Sequence, residues 1–162
     1  MSKYCASHVA NFFLDMAEEE KKTLTQLKLM KLVYIGFGWV SAVLDEEMFD
    51  EPILAWKHGP VVKSIYDEFK HFSYNPITSN AVEFDLENQK LSVPRIPSDD
   101  EDIRVVLGKV WDVYKNFTAG ALRNKTHEPN TPWSESYGKS EAIDKTLIKT
   151  HFIKKISSYL DA

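Results

Sequence analysis

The chain of 162 residues carries 24 acidic against 20 basic side chains, for a formal net charge of −4, with 43% hydrophobic and 12% aromatic residues. That balance describes a chain able to bury a core and excludes a disordered one, while the acidity argues against a protein whose main task is gripping a nucleic-acid backbone. One cysteine, Cys5, excludes an internal disulfide and leaves too little sulfur for a zinc-ribbon site.

The N-terminal stretch is interrupted by Lys3 and His8 and has no signal-peptide pattern. The most apolar run, Leu32 to Leu44, is shorter than the ~20 residues a membrane crossing needs. A cytoplasmic protein with no membrane partner is expected. Neither an internal repeat nor a low-complexity linker is present, so the expectation is a single domain over residues 1–162.

In chain order, residues 4–20 place Val9, Phe12, Phe13 and Met16 at helical spacing. The charged run Glu18–Lys22 reads as a solvated helix end. Thr23 and Gln26 form a capping-box pattern for a second helix through Leu44. Only Lys28 and Lys31 interrupt its apolar surface, and such a helix belongs at the centre of a domain. Gly36 and Gly38 lower its propensity and predict a close helix crossing.

An acidic loop then leads to a short extended piece ending at Trp56. Gly59 as N-cap and Pro60 at the first helical position predict a helix carrying Val61, Ile65, Tyr66 and Phe69 on one stripe. Beyond a loop containing Pro76 the period changes to two. Val82, Phe84 and Leu86 alternate with polar neighbours, as do Leu91 and Val93, which predicts a small hairpin ended by Pro94 and Pro97.

Ser98 and Glu101 suggest a second capping box, followed by the helical stripe Ile103, Val106, Leu107, Val110, Val113, Tyr114 and Phe117. Thr118 caps a shorter helix through His127, and Thr131-Pro132 starts another turn. The last helix, Glu141 to Tyr159, buries Ile143, Leu147, Phe152 and Ile156 and shows Lys145, Lys149, Lys154 and Lys155 to water. The fold class is mainly α: a single-domain helical bundle around a buried central helix, with one small β-hairpin.

The chemistry is sparse. The corner from Trp56 to Pro60 has two readings, a helix start or an anion site built from a helix N-terminus with Lys57, His58 and Lys63 nearby. No glycine-rich cradle accompanies it, which favours the helix start. His58 and His71 are too far apart to share a helical turn, and His127-Glu128 has no second histidine at metalloprotease spacing. There is no GxSxG elbow and no marked carboxylate pair. No catalytic set, cofactor or metal is therefore expected.

Trp39 and Trp111 fall on core helices, whereas Trp56 and Trp133 lie beside proline-containing turns, as loop anchors or interface side chains. A helix-turn-helix beginning in Leu24–Tyr34 would need a second helix polar enough for a groove, and the one that follows is too apolar.

Three stretches together, KLMKLVYIGFGWV, EPILAWKHGPVVKSIYDEF and LRNKTHEPNTPW, resemble the Panacea antitoxin domain family, also called SocA-like and formerly described as phage-associated protein. The resemblance runs from Leu24 to the last helix. It is carried by Trp56, His58, Gly59, Pro60, Val61 and Tyr66, then by Leu122, His127, Pro132 and Trp133; the hairpin region matches in kind only. It implies a bacterial or prophage-encoded antitoxin that binds a cognate protein toxin, by direct blocking or as an adaptor delivering it to a cellular protease. It implies no enzyme and no catalytic residues, and it makes the ten residues just named candidates for toxin contact. Two other classes stay open: a small hydrolase or anion-binding enzyme using His58 and His127, and a DNA-binding autoregulator.

Overall fold

The computed structural model describes residues 2–160, with side chains through Ser158. Among these residues the helices are α1 (Ala6–Glu19), α2 (Gln26–Leu44), α3 (Lys63–Phe69), α4 (Glu101–Tyr114), α5 (Ala119–Thr126), α6 (Pro132–Ser136) and α7 (Lys145–Leu160). Two antiparallel two-stranded ribbons complete the fold: β1 (Leu54–Trp56) with β2 (Gly59–Val61), and β3 (Glu83–Asp85) with β4 (Lys90–Ser92). The fold is mainly α as expected, with a second ribbon where one hairpin was predicted.

Helix α2 is the axis. It packs against α1, α4, α5 and α7, and its residues from Leu29 to Gly38 are all buried. At 19 residues it is long and apolar enough to cross a membrane by length and composition, yet 67% of its most apolar window is buried within the protein. It serves as the core helix, over the span to Leu44 that was expected. The cap is Thr25, whose hydroxyl accepts from the Lys28 amide, and not Thr23. The helix stops at Asp45, which adopts a left-handed conformation and pairs with Lys149.

Both glycines of α2 sit at close crossings. A Cβ at Gly36 would lie 3.0 Å from Leu107 Cδ2, and one at Gly38 only 2.1 Å from Phe152 Cδ2. The glycines therefore let α4 and α7 approach the axis. Tyr34 meets Phe152 edge-on in the same region.

Several surface expectations change. Glu20, placed in a solvated run, accepts hydrogen bonds from Trp111 Nε1 at 2.7 Å and Lys115 Nζ at 3.0 Å, and these partners lower its pKa. Trp111 is fully buried, so its indole N–H needs that acceptor. Asp100, and not Ser98, occupies the N-cap position of α4, and its carboxylate accepts from Tyr4 Oη at 2.5 Å. In α7 the buried positions are Ile148 and the expected Phe152, with Leu147 and Ile156 only half-buried. Lys145 is not a water-facing residue: its ammonium lies over Phe37 and Phe49 and donates to the Phe49 carbonyl at 2.9 Å. The stripe of α4 is buried as expected except at Val113, which is exposed, and at Phe117, which lies past the helix end and is only partly buried.

The two kinds of helical glycine predict opposite mutational signs. Gly38→Ala should cost about 1–3 kcal/mol in a urea-unfolding measurement, because the new methyl overlaps Phe152. That cost should shrink in a Phe152→Leu background. Gly108, inside α4 with no atom within 4 Å of a built Cβ, should instead gain about 0.5–1 kcal/mol on substitution by alanine.

Candidate functional site

The Trp56–Pro60 corner is a hairpin turn. Strands β1 and β2 pair Leu54 with Val61, Ala55 with Pro60 and Trp56 with Gly59, leaving Lys57 and His58 as a two-residue turn. The helix-start expectation is thus corrected, for α3 begins at Lys63 with Val62 at its cap. Proline's fixed φ suits a helix's first turn and an edge strand equally, and here it lies in a strand. Two-residue hairpin loops usually need positive φ within the loop. In this one Lys57 and His58 have none, and the left-handed backbone falls on Gly59 at φ +115.

Gly59 is required for a second reason. A Cβ there would sit 2.7 Å from Lys31 Cε and 3.1 Å from Thr126 Oγ1. Lys31 rises from α2 beneath the hairpin and is only 2% exposed, and its Nζ donates to the Pro60 carbonyl at 3.2 Å. Burial, helped by the nearby Arg123 charge, pushes its pKa down to about 7.

Helices α5 and α6 close over the turn. Thr118 caps α5, and Thr131 forms a capping box with Ser134 at the start of α6, with Pro132 in its first turn. These helices carry His127 and Trp133 to the hairpin. Trp133 Nε1 donates to the Trp56 carbonyl at 2.7 Å. The His127 ring lies 3.9 Å from Trp133, with Nε2 3.0 Å from the Lys57 carbonyl and Nδ1 2.6 Å from the Arg123 carbonyl. On its other edge β1 bonds to residues 141–143, through Ala55 N to the Glu141 carbonyl and Ile143 N to the Ile53 carbonyl, both at 2.8 Å.

The structure therefore brings together the two separated motifs. Gly59, Pro60, Val61, Leu122, Pro132 and Trp133 are buried there, and His127 is engaged at both ring nitrogens. Trp56 is half-buried, packed edge-on against the partly exposed Tyr66 at 5.1 Å, and His58 is exposed at the turn. Of the ten candidate contact residues, these three alone carry much reachable side chain beyond the partly covered His127. The remainder form a clamp.

A second feature went unnoticed in the sequence. Asn11 of α1 is fully buried, and its amide nitrogen donates to the carbonyls of Ala81 at 3.0 Å and Pro94 at 2.9 Å. Its oxygen accepts from the Ala81 amide at 2.8 Å and from Asn80 Nδ2 at 3.3 Å. All four hydrogen-bonding positions of the side chain are used at the feet of the β3–β4 ribbon. Nearby, Arg95 pairs with Asp15 of α1 at 2.8 Å. At the tip the Asp85 carboxylate accepts from the amides of Glu87 and Asn88, which lowers its pKa together with the Asn88 side-chain bond. Only a long-range partner identifies Asn11, so an apolar-stripe reading of α1 passes over it. Among the described residues no cluster of three His, Cys, Asp or Glu side chains is placed to hold a metal ion.

Gly59→Ala should lose about 1–3 kcal/mol by thermal or denaturant unfolding, from backbone strain and from the contact with Lys31. Lys31 also predicts a pH dependence. Between pH about 7 and 10.5 the unfolded chain holds this proton while the folded chain has released it. Stability contributed at this residue should rise with pH across that window, by at most about 1.4 kcal/mol per unit. Lys31→Met should flatten that part of the curve in unfolding experiments at successive pH values.

The family model "Antitoxin SocA-like, Panacea domain" matches residues 29–134, from α2 into α6, so both halves of the clamp and the β3–β4 ribbon lie inside the match. The chain is similar to Antitoxin SocA of Caulobacter vibrioides (strain NA1000 / CB15N), at 27% identity over 128 residues, covering 79% of this chain and 68% of that protein. No solved structure matches. With the clamp and its supporting helices inside a match that spans more than half of its length, the chain belongs to the SocA-like antitoxin family of Panacea-domain proteins.

Proposed function

We propose that this protein is the antitoxin of a two-component pair, acting in the cytoplasm by binding a cognate protein toxin and blocking it directly. The observation that carries the reading is the family match from α2 into α6, supported by a relative whose name is that of an antitoxin. Binding of this kind asks for a rigid scaffold and an accessible surface, and no reaction. The scaffold is supplied by the α2-centred core and by the clamp that fixes the β1–β2 hairpin upon it. A charged rim around apolar contacts would set partner choice.

The reading predicts that the reading frame beside this gene arrests growth when expressed alone, and that co-expression of this chain restores growth. Purification of the pair should give one complex on size-exclusion chromatography. A fall in toxin abundance, with rescue lost in a strain lacking a single protease, would replace blocking by delivery to that protease. A harmless neighbour, or rescue that requires only promoter binding, defeats the antitoxin reading.

A further inference from the structure

We infer that the apolar face of the β3–β4 ribbon is the surface that receives the toxin, as an extended apolar segment flanked by lysine or arginine. This inference rests on the antitoxin reading. The register pairs Phe84 with Leu91, so these two share one face while Glu83, Asp85, Lys90 and Ser92 take the other; Val82 lies just before β3 and Leu86 opens the turn that follows it. In a small protein such an amphipathic ribbon normally lays its apolar face on the core. Here that face and the residues flanking β3 are open: Val82 is 43% exposed, Phe84 55%, Leu86 82% and Leu91 65%. A contiguous apolar face of this kind marks an interaction site far more often than isolated exposed residues do.

The ribbon is held for presentation. Asn11 fixes both feet through main-chain atoms, Asp85 fixes the tip, and the Val82 amide donates to Glu68 Oε1 at 3.2 Å. Among the described residues the two strands have no further neighbour in their sheet, so an added strand would gain main-chain hydrogen bonds as well as apolar contact.

Charge selects the occupant. From Val82 to Val93 the ribbon carries Glu83, Asp85 and Glu87 against Lys90 alone, with Glu68 beside its foot. A second copy of this chain would bring the same carboxylates together, which is unfavourable. A partner segment with basic flanks meets them favourably, and steering by those charges speeds its encounter.

The test compares wild type with the triple variant Phe84→Ser/Leu86→Ser/Leu91→Ser in co-expression with the toxin from the adjacent reading frame. The replaced side chains are exposed, so the melting temperature should stay within about 2 °C of wild type. Wild-type rescue with at least 100-fold weaker binding by the variant supports the inference. Rescue by both proteins with equal affinity overturns it and leaves the antitoxin reading standing. If wild type itself gives no rescue, the antitoxin reading fails and this inference falls with it. Hydrogen–deuterium exchange on the wild-type complex decides the matter should the variant misfold: slowed exchange at residues 82–93 supports the site, and unchanged exchange there overturns it. Glu83→Lys/Glu87→Lys should weaken binding at least 10-fold, and unchanged or tighter binding overturns the basic-flanked partner. A wild-type dimer in sedimentation that the triple variant dissociates would assign the face to a second copy and overturn the proposal.

Discussion

From Leu32 to Val40 the second helix carries no charged side chain, and a helix of that kind is stable in water only when covered around its circumference. This one constraint arranges most of the fold. Helices α1, α4 and α7 bury apolar side chains against it and α5 adds Leu122, a gain of roughly 25 cal/mol for each Å² of apolar surface removed from water. Four neighbours crowd a single axis only if some contacts run close to its backbone, and Gly36 and Gly38 provide those places. Lys31, immediately before that span, is a buried amine whose hydrogen bond to the Pro60 carbonyl ties the axis to the β1–β2 hairpin.

Much of this was legible before any coordinates. The apolar circumference of α2, the stripe of α4 and the caps at Thr118 and Thr131 are local patterns, and local patterns survive folding. The β3–β4 hairpin was legible from its alternation, but alternation implies one covered face and here the apolar side is open. The corner at Gly59-Pro60 was misread because both assignments satisfy the same local geometry. What decides for a strand is remote: the Trp56 carbonyl meets Trp133 and the Lys57 carbonyl meets His127, each at least 70 residues along the chain. Asn11, Lys31 and Glu20 stayed hidden for the same reason, since their partners lie between 29 and 95 residues away.

The residues that carry the family resemblance and the residues a partner can reach are largely different sets. Gly59, Pro60, Val61, Leu122, Pro132 and Trp133 are interior, and their pattern records how a hairpin is locked onto a helical core. Recognition needs side chains with free surface, and in this chain apolar side chains of that kind gather on the ribbon between α3 and α4. A motif that identifies a fold therefore says little about which protein its owner binds. With such a division the locked interior need not change when the contact surface does.

The way Asn11 grips the ribbon has a consequence for inheritance. Its hydrogen bonds into that segment reach the main chain of Ala81 and Pro94 and the amide of Asn80, and none touches a side chain between Val82 and Val93. An anchor that holds backbone is indifferent to the letters written between its two attachment points. The residues from Val82 to Val93 form a cassette whose side chains can be exchanged without the loss of any Asn11 hydrogen bond.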